Sequence, residues 1–282
     1  MTKGAVLIAN NNACIDYVKQ AVYLAERIHK YLDVPVSIIT NSANYLKENF
    51  DEYLFDNIIE HQSADNNKRI MFDGEFSQRT INWQNSNRMS AYELSPYDQT
   101  LLMDTDYIIN NSLLKNVFDT KNDFMLYKNG YDLAQTRTTD EFDRVSDTSI
   151  DFYWATVVYF TKCDQNETFF NLVKHIKQEW NYYTRIYRLP SVVYRNDYAF
   201  SIALHIMNGF QSGSFAQKLP GKLHYIVDKD LLIKHDGEKM TFCVAKEDRP
   251  GEYTLLKTDN LNIHVMNKLS LQREIDKELS HV

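Results

Sequence analysis

Gly4-Ala5-Val6-Leu7-Ile8-Ala9 is the run from which the architecture follows. A continuous apolar segment this short, bounded by polar residues, fits a strand buried on both faces. After it, Ile15, Val18, Val22, Ala25, Ile28 and Leu32 recur at spacings of three and four, the stripe of an amphipathic helix. Residues 34–40 read as a second strand, with Pro35 near its start, where a missing donor is tolerated. Strand, helix, strand predicts parallel pairing through a right-handed crossover and puts the chain in the α/β class.

Further along, residues 57–60 predict a third short strand, residues 62–78 a polar loop, and residues 83–94 a helix leading to an apolar strand that stops at acid. A short helix carrying Leu113, Leu114, Val117 and Phe118 precedes a strand at 124–127. Residues 129–151, rich in Thr and Asp, predict a loop long enough to serve as a lid or acceptor-binding segment. Residues 152–161 are the most β-branched and aromatic run and predict a strand. Asp164 and Glu167 form a capping box before a long helix bearing Phe169, Val173, Ile176, Trp180 and Tyr183. A helix at 197–207 ends at Asn208-Gly209, short strands and turns follow, and residues 270–282 predict a helix docked through Leu271, Ile275 and Leu279. With no repeat and no linker, a single domain is expected.

The chain has 282 residues, and 38 acidic against 31 basic side chains give a formal net charge of −7. This balance disfavours a protein that coats nucleic acid, which needs clustered Lys and Arg. Lys68, Arg69, Arg79 and Arg88 are close in sequence, and a salt-sensitive DNA contact is expected only if they share one face. Gly and Pro together number only 13, and aromatics reach 13%, so a well-filled core with few long loops is expected. Cys14, Cys163 and Cys243 lack any CxxC or zinc spacing and read as reduced thiols. The first apolar run is too short for a secretory segment and nothing approaches a membrane span, so a cytoplasmic protein is expected.

The chemistry concentrates in Leu101-Leu102-Met103-Asp104-Thr105-Asp106-Tyr107-Ile108. In extended backbone, residues two apart point the same way, so Asp104 and Asp106 would converge on one cation at the end of a buried strand. Carboxylates suit Mg²⁺ or Mn²⁺, which keep positions open for substrate phosphates, and α/β sheets bind ligands beyond the carboxyl ends of their strands. The competing reading is two acids ending a strand in solvent.

An apolar strand, D-x-D and an apolar pair after an N-terminal βαβ unit resemble the GT-A fold of nucleotide-sugar-dependent glycosyltransferases, most of all the retaining, glycogenin-like branch. The resemblance implies a mixed, mostly parallel central sheet flanked by helices, with residues 1–110 binding nucleotide, 111–269 binding acceptor and 270–282 forming a C-terminal helix. Arg88, 16 residues before Asp104, matches the family's basic position on the preceding helix. Asn262-Ile263-His264-Val265-Met266-Asn267-Lys268 resembles the segment bringing a third metal ligand and a phosphate-binding cation, without the glycine and Lys-Pro-Trp of close members. The implied metal set is Asp104, Asp106 and His264 around Mn²⁺ or Mg²⁺. Arg88 and Lys268 would hold the diphosphate of a nucleoside diphosphate sugar, a uridine diphosphate sugar among the candidates, and Asp104 would also meet the ribose. Such cations lower the barrier by neutralising charge on the leaving group.

Arg195-Asn196-Asp197-Tyr198 resembles the segment that places an amide and an acid beside the reacting sugar, which assigns catalytic roles to Asn196 and Asp197. Asp197 also reads as a helix cap. Trp154, Ala155 and Thr156 stand where the family usually presents Asn and Gly; Trp154 fits either a sugar platform or the core. Asn10, Asn11 and Asn12 follow the first strand, where such enzymes bind base and ribose, and Asn10 is the candidate there; a plain turn is the alternative. The expected acceptor is a hydroxyl on a glycan, a protein or a modified DNA base. The rivals are a non-catalytic nucleotide-sugar-binding protein and, more weakly, a metal-dependent phosphatase, whose D-x-D would lie on the first strand.

Overall fold

The computed structural model describes residues 1–62, 67–135, 137, 142–146 and 150–279. Strand β1 (Lys3–Ile8) leads into helix α1 (Tyr17–Leu32), then β2 (Val36–Thr40), α2 (Ala43–Asn49) and β3 (Asn57–Glu60). The whole predicted stripe from Ile15 to Leu32 is buried. Asp16 accepts from the Lys19 N–H at 2.9 Å and so caps α1. Asp33 ends the helix in the left-handed region at φ 55°. Parallel pairing of β1 with β2 and of β2 with β3 follows, as the crossover predicts. Gly4 begins this unit because a Cβ there would meet the Tyr97 ring at 2.5 Å and the Pro35 carbonyl at 2.8 Å.

Strands β4 (Asn67–Phe72) and β5 (Gln78–Trp83) form an antiparallel hairpin where a loop was expected. Its polar composition hides the alternation, since Met71, Ile81 and Trp83 are its buried hydrophobic residues. The helix expected over 83–94 is only α3 (Ser90–Leu94); Trp83 belongs to β5 and Arg88 lies in the turn before the helix. The four basic residues do not share one face: Arg69 and Arg79 lie on the hairpin face of buried Met71, Lys68 on the opposite one, and Arg88 is buried. The condition for a DNA contact is therefore not met.

Strands β6 (Gln99–Met103) and β7 (Tyr107–Ile108) flank the acids, followed by a 3₁₀ helix at Leu113–Asp119, β8 (Phe124–Tyr127), β9 (Gly130–Asp132) and β10 (Trp154–Thr161). The expected 129–151 loop thus contains a strand, and its residues 136, 138–141 and 147–149 lie outside those described. Helix α4 (Asp164–Gln178) has Cys163 at its cap, so Asp164 and Glu167 sit inside the first turn, favoured by the helix dipole, and no capping box forms. Glu179 breaks the expected long helix, and α5 (Trp180–Ile186) continues it. Helix α6 (Asn196–Met207) precedes β11 (Gln217–Lys218), β12 (Leu223–Ile226), β13 (Leu231–Asp236), β14 (Lys239–Ala245), β15 (Tyr253–Asp259), β16 (Ile263–Val265) and α7 (Lys268–Leu279). The last begins two residues earlier than predicted and buries Leu271 and Ile275; residues 280–282 lie outside the description.

The central sheet has the order β11-β8-β10-β6-β1-β2-β3, parallel except where β10 pairs with β6 and β8. It is the mixed, mostly parallel sheet expected, with α1 on it and α6 packed against β10. A second sheet runs β7-β16-β12-β9, and β13-β14-β15 form a third. The crossover from β1 goes to β2 on one side, while β6 lies on the other, so the carboxyl ends of β1 and β6 open a crevice at a switch in chain direction. No described helix is long and apolar enough to cross a membrane, and the three cysteines are unpaired.

Candidate active site

The crevice receives the acids through a turn, not through extended strand. The chain leaves β6 at Met103, the Asp104 N–H donates to the Thr156 carbonyl of β10 at 2.8 Å, and the Tyr107 N–H closes back on the Asp104 carbonyl at 3.1 Å. Asp104 and Asp106 therefore converge for a different reason from the one the sequence suggested. His264 arrives by β-ladder register: it stands opposite Tyr107 in the β16–β7 pair, and the Val265 N–H donates to the Asp106 carbonyl at 2.9 Å. One ligand atom each from Asp104, Asp106 and His264 lie within 4.8 Å of one another, a group able to hold a metal ion. Two carboxylate oxygens with one imidazole nitrogen form a mixed ligand set of the kind that holds a divalent cation.

Asp106 is buried, whereas the Asp104 side chain is 36% exposed, so one acid faces the core and the other the opening. His264 Nε2 lies 3.3 Å from Asp106 Oδ2, and its Nδ1 lies 3.3 Å from the Thr156 hydroxyl, which fixes the ring. Lys268, first residue of α7, donates its ammonium to Asp106. Arg88 is buried, donates to Asp104 and, at 3.2 Å, to the Thr156 carbonyl, while its Nε–H has no partner. Partial desolvation at the crevice mouth, with Asp106 beside it, pushes the Asp104 carboxyl up against the pull of Arg88. Burial acts to raise Asp106 too, but Lys268 and His264 outweigh it and hold that carboxyl well below the usual range.

Asp197 stands one residue along β10 from this cluster, its Oδ1 accepting from the Ala155 N–H at 2.9 Å and its Oδ2 lying 3.4 Å from Arg195. Arg195 holds the cap position of α6, so Asp197 is a first-turn residue and not the cap. Asn196 donates to the Asn85 carbonyl at 3.1 Å and keeps a buried Oδ1 without a partner. Asn85 in turn accepts from the Asn10 N–H at 2.7 Å, linking the end of β1 to the start of α6. The Asn10 side chain donates to the Gln84 carbonyl at 3.1 Å and its buried Oδ1 is unpartnered. Asn11 and Asn12 serve the turn, accepting from the N–H groups of Val18 and Ile15 at 2.9 Å. Trp154 is core: it is 1% exposed and packs on Phe142 and Tyr225 at 4.8 and 5.0 Å.

Two residues here have no counterpart in the sequence reading as site groups. Tyr17, at the start of α1, keeps a buried hydroxyl without a partner, and burial pushes it up to about 12, with Lys268 and Asp106 close by. Arg69, on β4, stacks over the Trp83 ring at 3.4 Å and donates to the Tyr194 carbonyl at 3.0 Å. Burial first, and Arg195 second, lower it to about 10, and Asp197 and Asp104 are among the charges it feels. Neither carries a motif; an apolar residue expected at either inward position was the only available signal. A groove of about 740 Å³ lined by Met89, Tyr92, Phe170 and Lys174 lies beyond Arg88 and includes none of the acids.

No family model matches the sequence, and no curated protein matches it. Solved structures similar to the chain include glycosyltransferases. One is the galactosyltransferase LgtC in complex with donor and acceptor sugar analogs, 13% identical over 77% of this chain and 73% of that one, TM-score 0.48. Another is the glycosyltransferase GlyE of Streptococcus pneumoniae TIGR4, 12% identical over 78% of this chain and 45% of that one, TM-score 0.43.

Proposed function

We propose that the protein is a metal-dependent glycosyltransferase that moves a sugar from a nucleoside diphosphate sugar to an acceptor hydroxyl. The observation that carries this reading is the clustering of Asp104, Asp106 and His264 within 4.8 Å, with Arg88 and Lys268 bonded to the two acids. A divalent cation held by that trio supplies Lewis acidity to the diphosphate. Arg88 and Lys268 neutralise the acids before substrate arrives and turn their charge to the phosphates afterwards; the unpartnered Nε–H of Arg88 is a donor in waiting. As the sugar–phosphate bond breaks, negative charge grows on the departing diphosphate, and cations fixed there lower the barrier directly. Asp197, anchored by the Ala155 N–H, faces the sugar, with Asn196 beside it. Residues 1–110 carry the nucleotide side, with His264 and Lys268 reaching it from later in the chain, and the rest of 111–269 the acceptor side. The resemblance to the retaining branch favours retention at the anomeric carbon; an inverted product would transfer Asp197 to the role of base.

One observation favours a second reading, a nucleotide-sugar-binding protein without turnover: each acid is bonded to a cationic side chain, Asp104 to Arg88 and Asp106 to Lys268. A thermal-shift panel of nucleoside diphosphate sugars with and without Mn²⁺ separates the readings, because a donor that binds the folded state stabilises it by mass action. A Mn²⁺-dependent shift with slow release of nucleoside diphosphate is the expected result, and a shift that ignores Mn²⁺, with no release, supports the second reading. Asp106→Asn is expected to abolish the Mn²⁺-dependent part while the fold persists.

A further inference from the structure

The carboxylates of the site each have a cation: Arg88 on Asp104, Lys268 on Asp106, and Arg195 on Asp197 at 3.4 Å. Among the described residues no carboxylate pairs with Arg69. Its guanidinium is held instead by the Trp83 face and by one bond to the Tyr194 carbonyl, which uses one of the five N–H donors an arginine offers. The hairpin that carries it is pinned, because Arg273 of α7 donates to both oxygens of Asp73 at 2.7 and 2.8 Å. Arg69 is thus a fixed, partly buried cation beside Tyr194, three residues before Asp197 in the chain.

Charge balance then indicates what Arg69 is for. A divalent cation and the diphosphate of a nucleotide sugar cancel, and the three acid–cation pairs cancel among themselves. The charge of Arg69 is left over, held beside the segment that leads into Asp197, the sugar end of the crevice in the transferase reading. We propose that Arg69 recognises an oxyanion, a carboxylate or a phosphate, borne by one of the two sugars the site brings together, so that the substrate is an acidic sugar. This rests on the transferase reading above. A guanidinium matches a carboxylate or phosphate with two parallel bonds, which a lysine does not reproduce.

The test is equilibrium binding to the full chain by calorimetry with Mn²⁺ present. UDP, GDP and dTDP identify the base; on that base, glucose and glucuronate conjugates form the donor arm. With the diphosphate bound, glucose against glucose 6-phosphate forms the acceptor arm. The expected result is a preference of tenfold or more for the acidic partner in one arm, which also identifies the sugar concerned. Arg69→Gln is expected to erase that preference while leaving affinity for the bare diphosphate unchanged, and Arg69→Lys to retain part of it. Equal affinity for acidic and neutral partners in both arms of the wild-type protein overturns the proposal whether or not the variants fold. Loss of bare-diphosphate affinity in Arg69→Gln overturns it as well, assigning Arg69 to the diphosphate. If no nucleoside diphosphate binds, the transferase reading itself fails and takes this inference with it.

Discussion

Single residues show how the protein spends burial on charge. His235 is one such case away from the site: its Nδ1 meets the Tyr23 hydroxyl, its Nε2 lies 3.3 Å from Asn110, and Arg27 is nearby. Burial first and Arg27 second lower it from 6.5 to about 4, against the smaller upward pull of Asp236 and Glu238. The folded protein then binds fewer protons at this position than the unfolded chain, so the contribution is complete above about 6.5 and is lost as pH falls toward about 4. Melting temperature is expected to drop across that window, and to drop less steeply in His235→Gln; an identical slope in the variant would assign the acid sensitivity elsewhere. At the same scale, Asp104, Asp106 and His264 were legible in the sequence because carboxylates in a D-x-D and a late histidine are specific residue types in a recognisable order. What Thr156 does was not, since its carbonyl and hydroxyl serve Asp104, Arg88 and His264 from a position where the side-chain name says little.

Among the elements, the β4–β5 hairpin is where composition misled and where the site gained most. Residues 67–72 alternate in burial, but Asn67 and Arg69 occupy the inward positions alongside Met71, so a period of two is invisible to hydropathy. The cost of an inward arginine is met by the Trp83 ring, a cross-strand arrangement that only the register reveals. The two-bond contact between Asp73 and Arg273 fastens the hairpin to α7, and Arg273 holds the Asp73 carboxyl below its ordinary range. The Arg273 side chain is half-exposed, so Arg273→Ala is expected to cost no more than about 1 kcal/mol of global stability. Its main effect should instead appear as faster amide exchange across β4 and β5 by mass spectrometry; unchanged exchange there would show that the contact does not restrain the hairpin. The parallel strands and α1, by contrast, were read almost to the residue, because burial on both faces leaves an uninterrupted apolar run and a clean helical stripe.

Over the whole molecule, an acidic chain of net charge −7 gathers Arg69, Arg88, Arg195 and Lys268 around three carboxylates. Stability and binding are joined through α7. Leu271 is fully buried one turn beyond Lys268, so the packing that docks the helix also delivers the ammonium to Asp106. Leu271→Ala is expected to lower unfolding stability by about 2–5 kcal/mol in denaturant titrations. Nucleoside diphosphate affinity in the still-folded variant should fall with it. Full affinity in a destabilised variant would show that Lys268 is placed by its own contact with Asp106 and not by the helix.

The pairing of His264 with Tyr107 joins residues from the middle of the chain to others near its end. A polypeptide emerging from the ribosome presents β6 and the two acids before β16 exists, so the acids stay without their imidazole until that strand has emerged too. Assembly of the Asp104, Asp106 and His264 group therefore waits on a strand that lies far downstream of the acids in the sequence.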